Sequence, residues 1–129
     1  MIKIKQQKET FYSIFAYGSE LLQKLKSGSA NTVALWMFAR AEENTGWVHL
    51  SPALRREMMS ELDLKTNTIS NNLRYLKDAN IISGEDGSFM INPLAAWKGD
   101  LEIREKILKN KKFQEAFHFM IAKDNEGEE

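Results

Sequence analysis

Two amphipathic segments follow each other between residues 51 and 79. The first begins at Ser51-Pro52, a favourable helix start because serine caps the free amides and proline suits the first helical position. Its apolar residues recur at helical spacing: Ala53, Leu54, Met58 and Leu62. After a break at residues 63–65, a second helix is predicted from Thr66 to Ala79, with one apolar face: Ile69, Leu73 and Leu76. The pattern therefore predicts two helices joined by a tight turn.

Three short apolar segments flank this pair and predict a small sheet. They are Trp47–Leu50 before the helices, and Ile81–Ser83 and Ser88–Ile91 after them, the last two joined by a turn at Gly84–Gly87. Strand, helix, turn, helix and hairpin is the order of a winged helix-turn-helix. The expected fold is mainly α with a small antiparallel sheet (α+β), a winged helix-turn-helix with an added C-terminal helix.

The N-terminal part of the chain predicts an arm and two more helices. Residues 1–9 are read as an N-terminal arm, and residues 10–99 as the winged domain. Gly18-Ser19 is expected to open a helix over Glu20–Lys26. A nearly all-apolar helix from about Thr32 to Glu43, capped by Asn31 or Ser29, would form the buried centre of the domain.

The C-terminal part predicts a short turn of helix at Leu94–Trp97 and then one long helix. This last helix would begin after Asp100 and run from Leu101 to about Ala122, unless Asn110 breaks it. Residues 100–123 are assigned to it, and residues 124–129 to a disordered acidic tail. Its apolar positions predict a homodimer contact: Ile103, Ile107, Phe113, Phe117, Met120 and Ile121. The alternative is that this helix packs on its own domain.

The charge balance limits the kind of partner. Eighteen basic and eighteen acidic residues give zero formal net charge, which argues against a non-specific binder held by its overall field. Any DNA contact must depend on a local basic face. No apolar run is long enough to cross a bilayer, and the first eight residues are too polar for a secretory signal. A cytoplasmic protein without a membrane partner is expected.

Catalytic chemistry has little support in the sequence. There is no cysteine, which excludes disulfides, thiolate catalysis and zinc fingers. His49 and His118 are far apart along the chain, and the tyrosines Tyr12, Tyr17 and Tyr75 lie in apolar patterns that suit the core. We therefore expect no enzyme, no metal and no cofactor.

The outer face of the second predicted helix is the strongest candidate site. It is expected to bind double-stranded DNA through these residues: Lys65, Thr66, Asn67, Thr68, Ser70, Asn71 and Arg74. Asparagine pairs well with adenine and arginine with guanine. The alternative is a solvated face with Thr66 as the cap. Threonine, asparagine and serine are poor helix formers, however, so their concentration on one face favours a recognition surface.

Two neighbouring features bear on this candidate DNA-binding face. Arg55, on the preceding helix, would touch the DNA backbone or lie on an ordinary exposed face. The predicted wing tip carries Glu85 and Asp86, and these carboxylates would repel phosphate. The wing is therefore expected to stay off the DNA or to contact protein.

A family resemblance comes from the residues that follow the helix-turn-helix. The block Gly-Ser-Phe-Met-Ile-Asn-Pro at residues 87–93, followed by Lys98-Gly99, resembles the RepL family of plasmid replication proteins. The upstream Phe11-Tyr12 region and the leucine spacing of residues 73–82 also fit. The resemblance implies a protein of a plasmid or mobile element that binds its origin and starts or controls replication, with host replication proteins as further partners. Lys98 would then reach the DNA backbone or an acidic partner.

Two other functions remain open from the sequence. A transcriptional repressor would use the same DNA contacts, since fold alone does not settle the role. A protein-interaction module that does not bind DNA would suit the neutral charge and the acidic wing.

Overall fold

The computed structural model describes residues 11–26 and 28–117. Its helices are α1 (Ala16–Gln23), α2 (Gly28–Arg40), α3 (Pro52–Leu62), α4 (Thr66–Asp78), α5 (Leu101–Leu108) and α6 (Lys111–Ala116). Its strands are β1 (Ser13–Ile14), β2 (Trp47–His49), β3 (Ile82–Glu85), β4 (Ser88–Ile91) and β5 (Ala96–Trp97). This is an α+β fold, as the sequence predicts. Among the described helices, none is long and apolar enough to cross a membrane.

The predicted three-stranded sheet is present, with β4 in the middle. β2 and β3 both pair with β4 in antiparallel orientation, and Val48 lies opposite Phe89. The hairpin between β3 and β4 turns at Asp86 and Gly87, both at positive φ (54° and 84°), as a tight two-residue turn requires. The three predicted strands are confirmed. β2 ends one residue early, and β3 begins one residue later than predicted, at Ile82, and runs on to Glu85.

Helix α2 is the centre of the core, as predicted. Six of its residues are buried: Ala30, Val33, Ala34, Trp36, Met37 and Phe38. It begins at Gly28 and ends at Arg40, so both predicted boundaries and both proposed caps are wrong. One physical reason is tertiary: Ser29, inside the first turn, accepts a hydrogen bond of 2.9 Å from the buried Asn72 side chain of α4. A contact between distant segments thus accompanies the earlier helix start.

The two consecutive helices, α3 and α4, form as predicted. The Ser51 side chain accepts a hydrogen bond of 3.1 Å from the backbone amide of Leu54, which caps α3. Asp63 adopts a left-handed conformation with φ 52° and ends α3, so only residues 63–65 separate the helices. The tight break is therefore confirmed.

The N-terminal region differs from the prediction. α1 begins at Ala16, four residues before the predicted start, and Gly18 lies inside it. Gly18 is buried, and a Cβ there would overlap the carbonyl of Ala95, so this glycine serves close packing rather than a helix start. β1 pairs with β5, Ile14 opposite Ala96. The predicted helical turn at 94–97 is wrong, because the pairing of β5 with β1 keeps residues 96 and 97, the second half of that segment, extended.

The C-terminal region forms two helices, α5 and α6, which are interrupted at Asn110, the residue named in the sequence analysis as the one that would break a long helix. Asn110 caps α6 by accepting a 2.8 Å hydrogen bond from the amide of Lys112, so the single long helix is wrong. Phe113 and Phe117 are buried within the chain, and their rings lie 5.1 Å apart. These two predicted dimer residues therefore pack internally. Met120 and Ile121, His118, the arm and the acidic tail lie outside the described residues.

Candidate nucleic-acid interface

Helix α4 has one buried face and one polar exposed face. The buried face packs on α2 and consists of Ile69, Asn72, Leu73 and Leu76. The opposite face carries most of the predicted site residues in exposed positions: Lys65, Thr66, Asn67, Ser70, Asn71 and Arg74. Thr68 is half-buried. The fold thus places the predicted α4 residues along one side of a single thirteen-residue helix.

The N-terminus of α4 lacks a side-chain cap. Its N-cap residue is Lys65, which makes no capping hydrogen bond, and the first turn holds no acidic residue. The alternative in which Thr66 caps the helix is therefore wrong. A side-chain oxygen caps α3, α5 and α6, whereas α1, like α4, has no side-chain cap. Within the described residues no side-chain cap engages the first amides of α4, and an uncapped helix N-terminus attracts an anion such as phosphate.

Arg55 of α3 lies against the start of α4. Its Nη2 donates to the Ser70 hydroxyl at 2.5 Å and to the Thr66 carbonyl at 3.2 Å. A longer contact of 3.4 Å joins it to the Thr66 hydroxyl. These bonds fix α3 to α4 and orient two hydroxyl groups of the polar face. Arg55 therefore positions α4 and adds positive charge beside its N-terminus.

Asn71 and Arg74 lie one helical turn apart and contact each other. Arg74 Nη2 donates to Asn71 Oδ1 at 3.2 Å, and both side chains are exposed. The bond uses the carbonyl oxygen of the Asn71 side chain and one guanidinium nitrogen of Arg74. Two side chains able to contact base edges are thus coupled on the same surface.

Lys98 lies apart from this face. Its ammonium donates a hydrogen bond of 3.0 Å to the carbonyl of Ala39, in the last turn of α2. A cation at a helix C-terminus satisfies a carbonyl that has no partner within the helix. The structure thus gives Lys98 a capping contact, and its contact with the DNA backbone or an acidic partner stays a prediction.

The other residues that carry the family resemblance have structural roles. Asn92 is fully buried, donates to the carbonyl of Asn80 at 2.8 Å and accepts from the amide of Leu94 at 3.0 Å. Gly99 has φ 127°, and a Cβ there would lie 2.8 Å from the backbone nitrogen of Asn44. This motif therefore specifies how the end of the hairpin joins the rest of the fold.

The hairpin tip is acidic and exposed. Glu85 and Asp86 lie at the turn between β3 and β4, both open to solvent. Their charges have the wrong sign for a phosphate contact. The hairpin tip therefore adds no group suited to a phosphate contact.

Sequence reasoning missed two residues of α4. Asn72 is 1 % exposed and holds α4 to α2 through Ser29, a role that its spacing of three from Ile69 indicates. Tyr75 is 44 % exposed, so its expected place in the core is wrong. Its spacing of four from Asn71 would have placed it on the outer face.

The described residues contain no metal-binding cluster: no group of three or more His, Asp or Glu side chains among them could hold a metal ion. His49 is exposed, stacks on Trp47 with ring centroids 5.9 Å apart and lies 3.0 Å from the Ser88 hydroxyl. Its contacts are those of a surface residue on the sheet.

A comparison with models of known protein families shows which family the chain belongs to. The model of the family described as Firmicute plasmid replication protein (RepL) matches residues 2–126. The chain belongs to the RepL family. It is thus a plasmid replication protein by family, and the resemblance inferred from residues 87–99 is confirmed. Neither the curated proteins nor the solved structures contain a match to this RepL chain.

Proposed function

We propose that this RepL protein binds double-stranded DNA sequence-specifically and acts in replication initiation or copy control of its plasmid. The elements from α2 to β4 would serve as a winged helix-turn-helix, with α4 as the recognition helix. The observation that carries the proposal is the polar exposed face of α4 with its uncapped N-terminus.

The dimensions of α4 suit this role. The major groove of B-DNA is about 12 Å wide and admits one α-helix. The N-terminal turn of α4 offers free amides to a phosphate, while Asn71 and Arg74 lie one turn further along and present donors to base edges. Arg55 keeps the two helices in a fixed relation through Ser70. In helix-turn-helix proteins, contacts with the DNA backbone fix the position of the recognition helix, and a few of its side chains contact base edges and select the sequence.

A repressor role would use the same contacts. The two roles differ in where the bound sequence lies, at an origin or in a promoter, and not in the chemistry of α4. Family membership favours replication.

A protein-interaction role is favoured by one observation, the exposed acidic tip formed by Glu85 and Asp86. In our proposal this tip stays off the DNA and is available to a basic surface of a host replication protein. A chain that bound such a partner and no duplex would instead be an interaction module.

We also propose a homodimer, because two-fold related half-sites are common for this class of DNA-binding protein. The apolar surface remaining on α5 supports it: Leu101 is 58 % exposed, and Ile103 and Ile107 are half-buried. Light scattering of the wild-type chain tests this point. A monomer at concentrations of tens of micromolar would contradict it.

The experiment that tests the proposed function is a DNA pull-down with the purified chain at two salt concentrations. The pool contains fragmented host genome and the plasmid that encodes the protein. Enrichment of one short sequence that survives the higher salt supports sequence-specific binding, and its position at an origin or a promoter separates initiator from repressor. Equal recovery of all fragments, or of none, would contradict the proposal, and binding of none would favour the interaction module.

A further inference from the structure

A groove lies between the end of α1 and the C-terminal half of α4. Its volume is about 420 Å³, and it is lined by Lys24, Leu25, Lys26, Tyr75, Asp78 and Ala79. Leu25 and Ala79 are half-buried, while the remaining four side chains are exposed. The groove thus has a partly apolar floor with two ammonium groups and a phenol around it.

This groove continues the polar face of α4. Tyr75 follows Asn71 by four residues, so the two side chains share one stripe of the helix. At 1.5 Å per residue, Tyr75 lies about 12 Å along the helix axis from Asn67. The N-terminal residues of a recognition helix contact the base edges. With Asn67 at the bases, Tyr75 lies toward the C-terminal end of α4, on the side from which the helix leaves the bases toward the phosphates.

The charge of the groove suits a phosphate chain. Within the described residues, no ion pair or side-chain hydrogen bond engages Lys24 or Lys26. Asp78 is the one carboxylate in the lining, so the lysines leave a net positive charge. The first turn of α4 attracts phosphate at the other end of the same face, about 12 Å or more away.

We propose that Lys24, Lys26 and Tyr75 hold the DNA backbone that borders the site read by α4. The two ammonium groups contact successive phosphates, and the Tyr75 hydroxyl donates to one of them while its ring covers the adjacent sugar. The α4 face then contacts both walls of the major groove, one at its N-terminus and one at this groove. The inference rests on the proposed function, since it places a second DNA contact beside α4.

Salt dependence of binding tests this inference. The probe is a duplex of about 24 base pairs carrying the sequence that the wild-type chain selects from a random pool. Each phosphate contact contributes about 0.9 to the slope of log K against log salt. The double variant Lys24→Ala with Lys26→Ala should therefore lower the magnitude of the slope by about 1.8 for each bound protomer, or about 3.6 for the proposed homodimer, with the same preferred sequence. The Lys24→Arg, Lys26→Arg variant should keep the wild-type slope.

A matched control separates a contact from a general loss of charge. Lys106 and Lys109 are exposed on α5 and at its end, and replacing both by alanine removes the same two charges. This control should leave the slope unchanged. A wild-type slope in the Lys24, Lys26 variant, or an equal loss in the control, would overturn the inference while leaving the proposed function intact. If the wild-type chain selects no duplex, the proposed function fails, and this inference fails with it.

Discussion

The side-chain amide of Asn92 donates a hydrogen bond of 2.8 Å to the backbone carbonyl of Asn80. Asn80 adopts a left-handed conformation, φ 62°, just after the C-terminal end of α4, and Asn92 follows the last residue of β4. The residue that ends the hairpin therefore also holds the end of the candidate recognition helix.

Replacing Asn92 by alanine should destabilise the fold. The substitution leaves the carbonyl of Asn80 and the amide of Leu94 without their partner at a fully buried position, and a buried unsatisfied group costs about 1–3 kcal/mol. Urea denaturation followed by circular dichroism would measure the free energy of unfolding. Asn71→Ala is the matched control, because Asn71 is exposed. Equal stability of the two variants would contradict the structural role of Asn92.

Alanine substitutions at Gly99, in the family motif, and at Gly28, outside it, test the packing of the motif. Gly99→Ala should cost about 1–3 kcal/mol, because φ is 127° and the new Cβ would lie 2.8 Å from the backbone nitrogen of Asn44. Gly28→Ala should be neutral or stabilise by about 0.4–1 kcal/mol, because Gly28 begins α2 and a Cβ there meets nothing within 4 Å. Thermal melting of both variants checks the opposite signs. Two variants with the same melting temperature would argue against the packing of Gly99 on Asn44.

Phe117 should behave as a core residue and not as a dimer contact. It is 1 % exposed within the chain, so Phe117→Ala should lower the free energy of unfolding by about 3–5 kcal/mol. Leu101→Ala, at a position 58 % exposed, should cost less than about 1 kcal/mol in the monomer. Denaturation at two protein concentrations measures both effects. A stable, folded Phe117→Ala chain would mean that the ring contributes little to the core.

The sequence predicted the central elements well because their signals are local. Ser51-Pro52 starts α3, and the Asp86-Gly87 turn closes the hairpin; both follow from neighbouring residues alone. The α1 start and the pairing of β1 with β5 were missed, because they depend on Gly18 packing against Ala95, far away in sequence. No local pattern indicates such a contact.

The candidate site was predicted only in part, because local spacing places some of its residues while others depend on contacts between distant segments. Helical spacing is enough to place Asn71 and Arg74 on one face of α4. The position of Lys98 depends on the approach of a distant helix end at Ala39, which its sequence neighbours do not encode. Tyr75 is exposed because its spacing of four from Asn71 places it on the outer face of α4, whereas its apolar ring alone suggests a core position.

The central claim, that the outer face of α4 reads DNA, is tested most directly by Asn71→Ala and Arg74→Ala on the duplex that the wild-type chain selects. Fluorescence anisotropy at a fixed salt concentration, against the selected sequence and a scrambled one, gives the specific affinity. Each substitution should cost about 1–3 kcal/mol of specific binding and little on the scrambled duplex, if these side chains touch base edges. Unchanged specific affinity in both variants, with the fold intact, would contradict the assignment of α4 as the recognition helix.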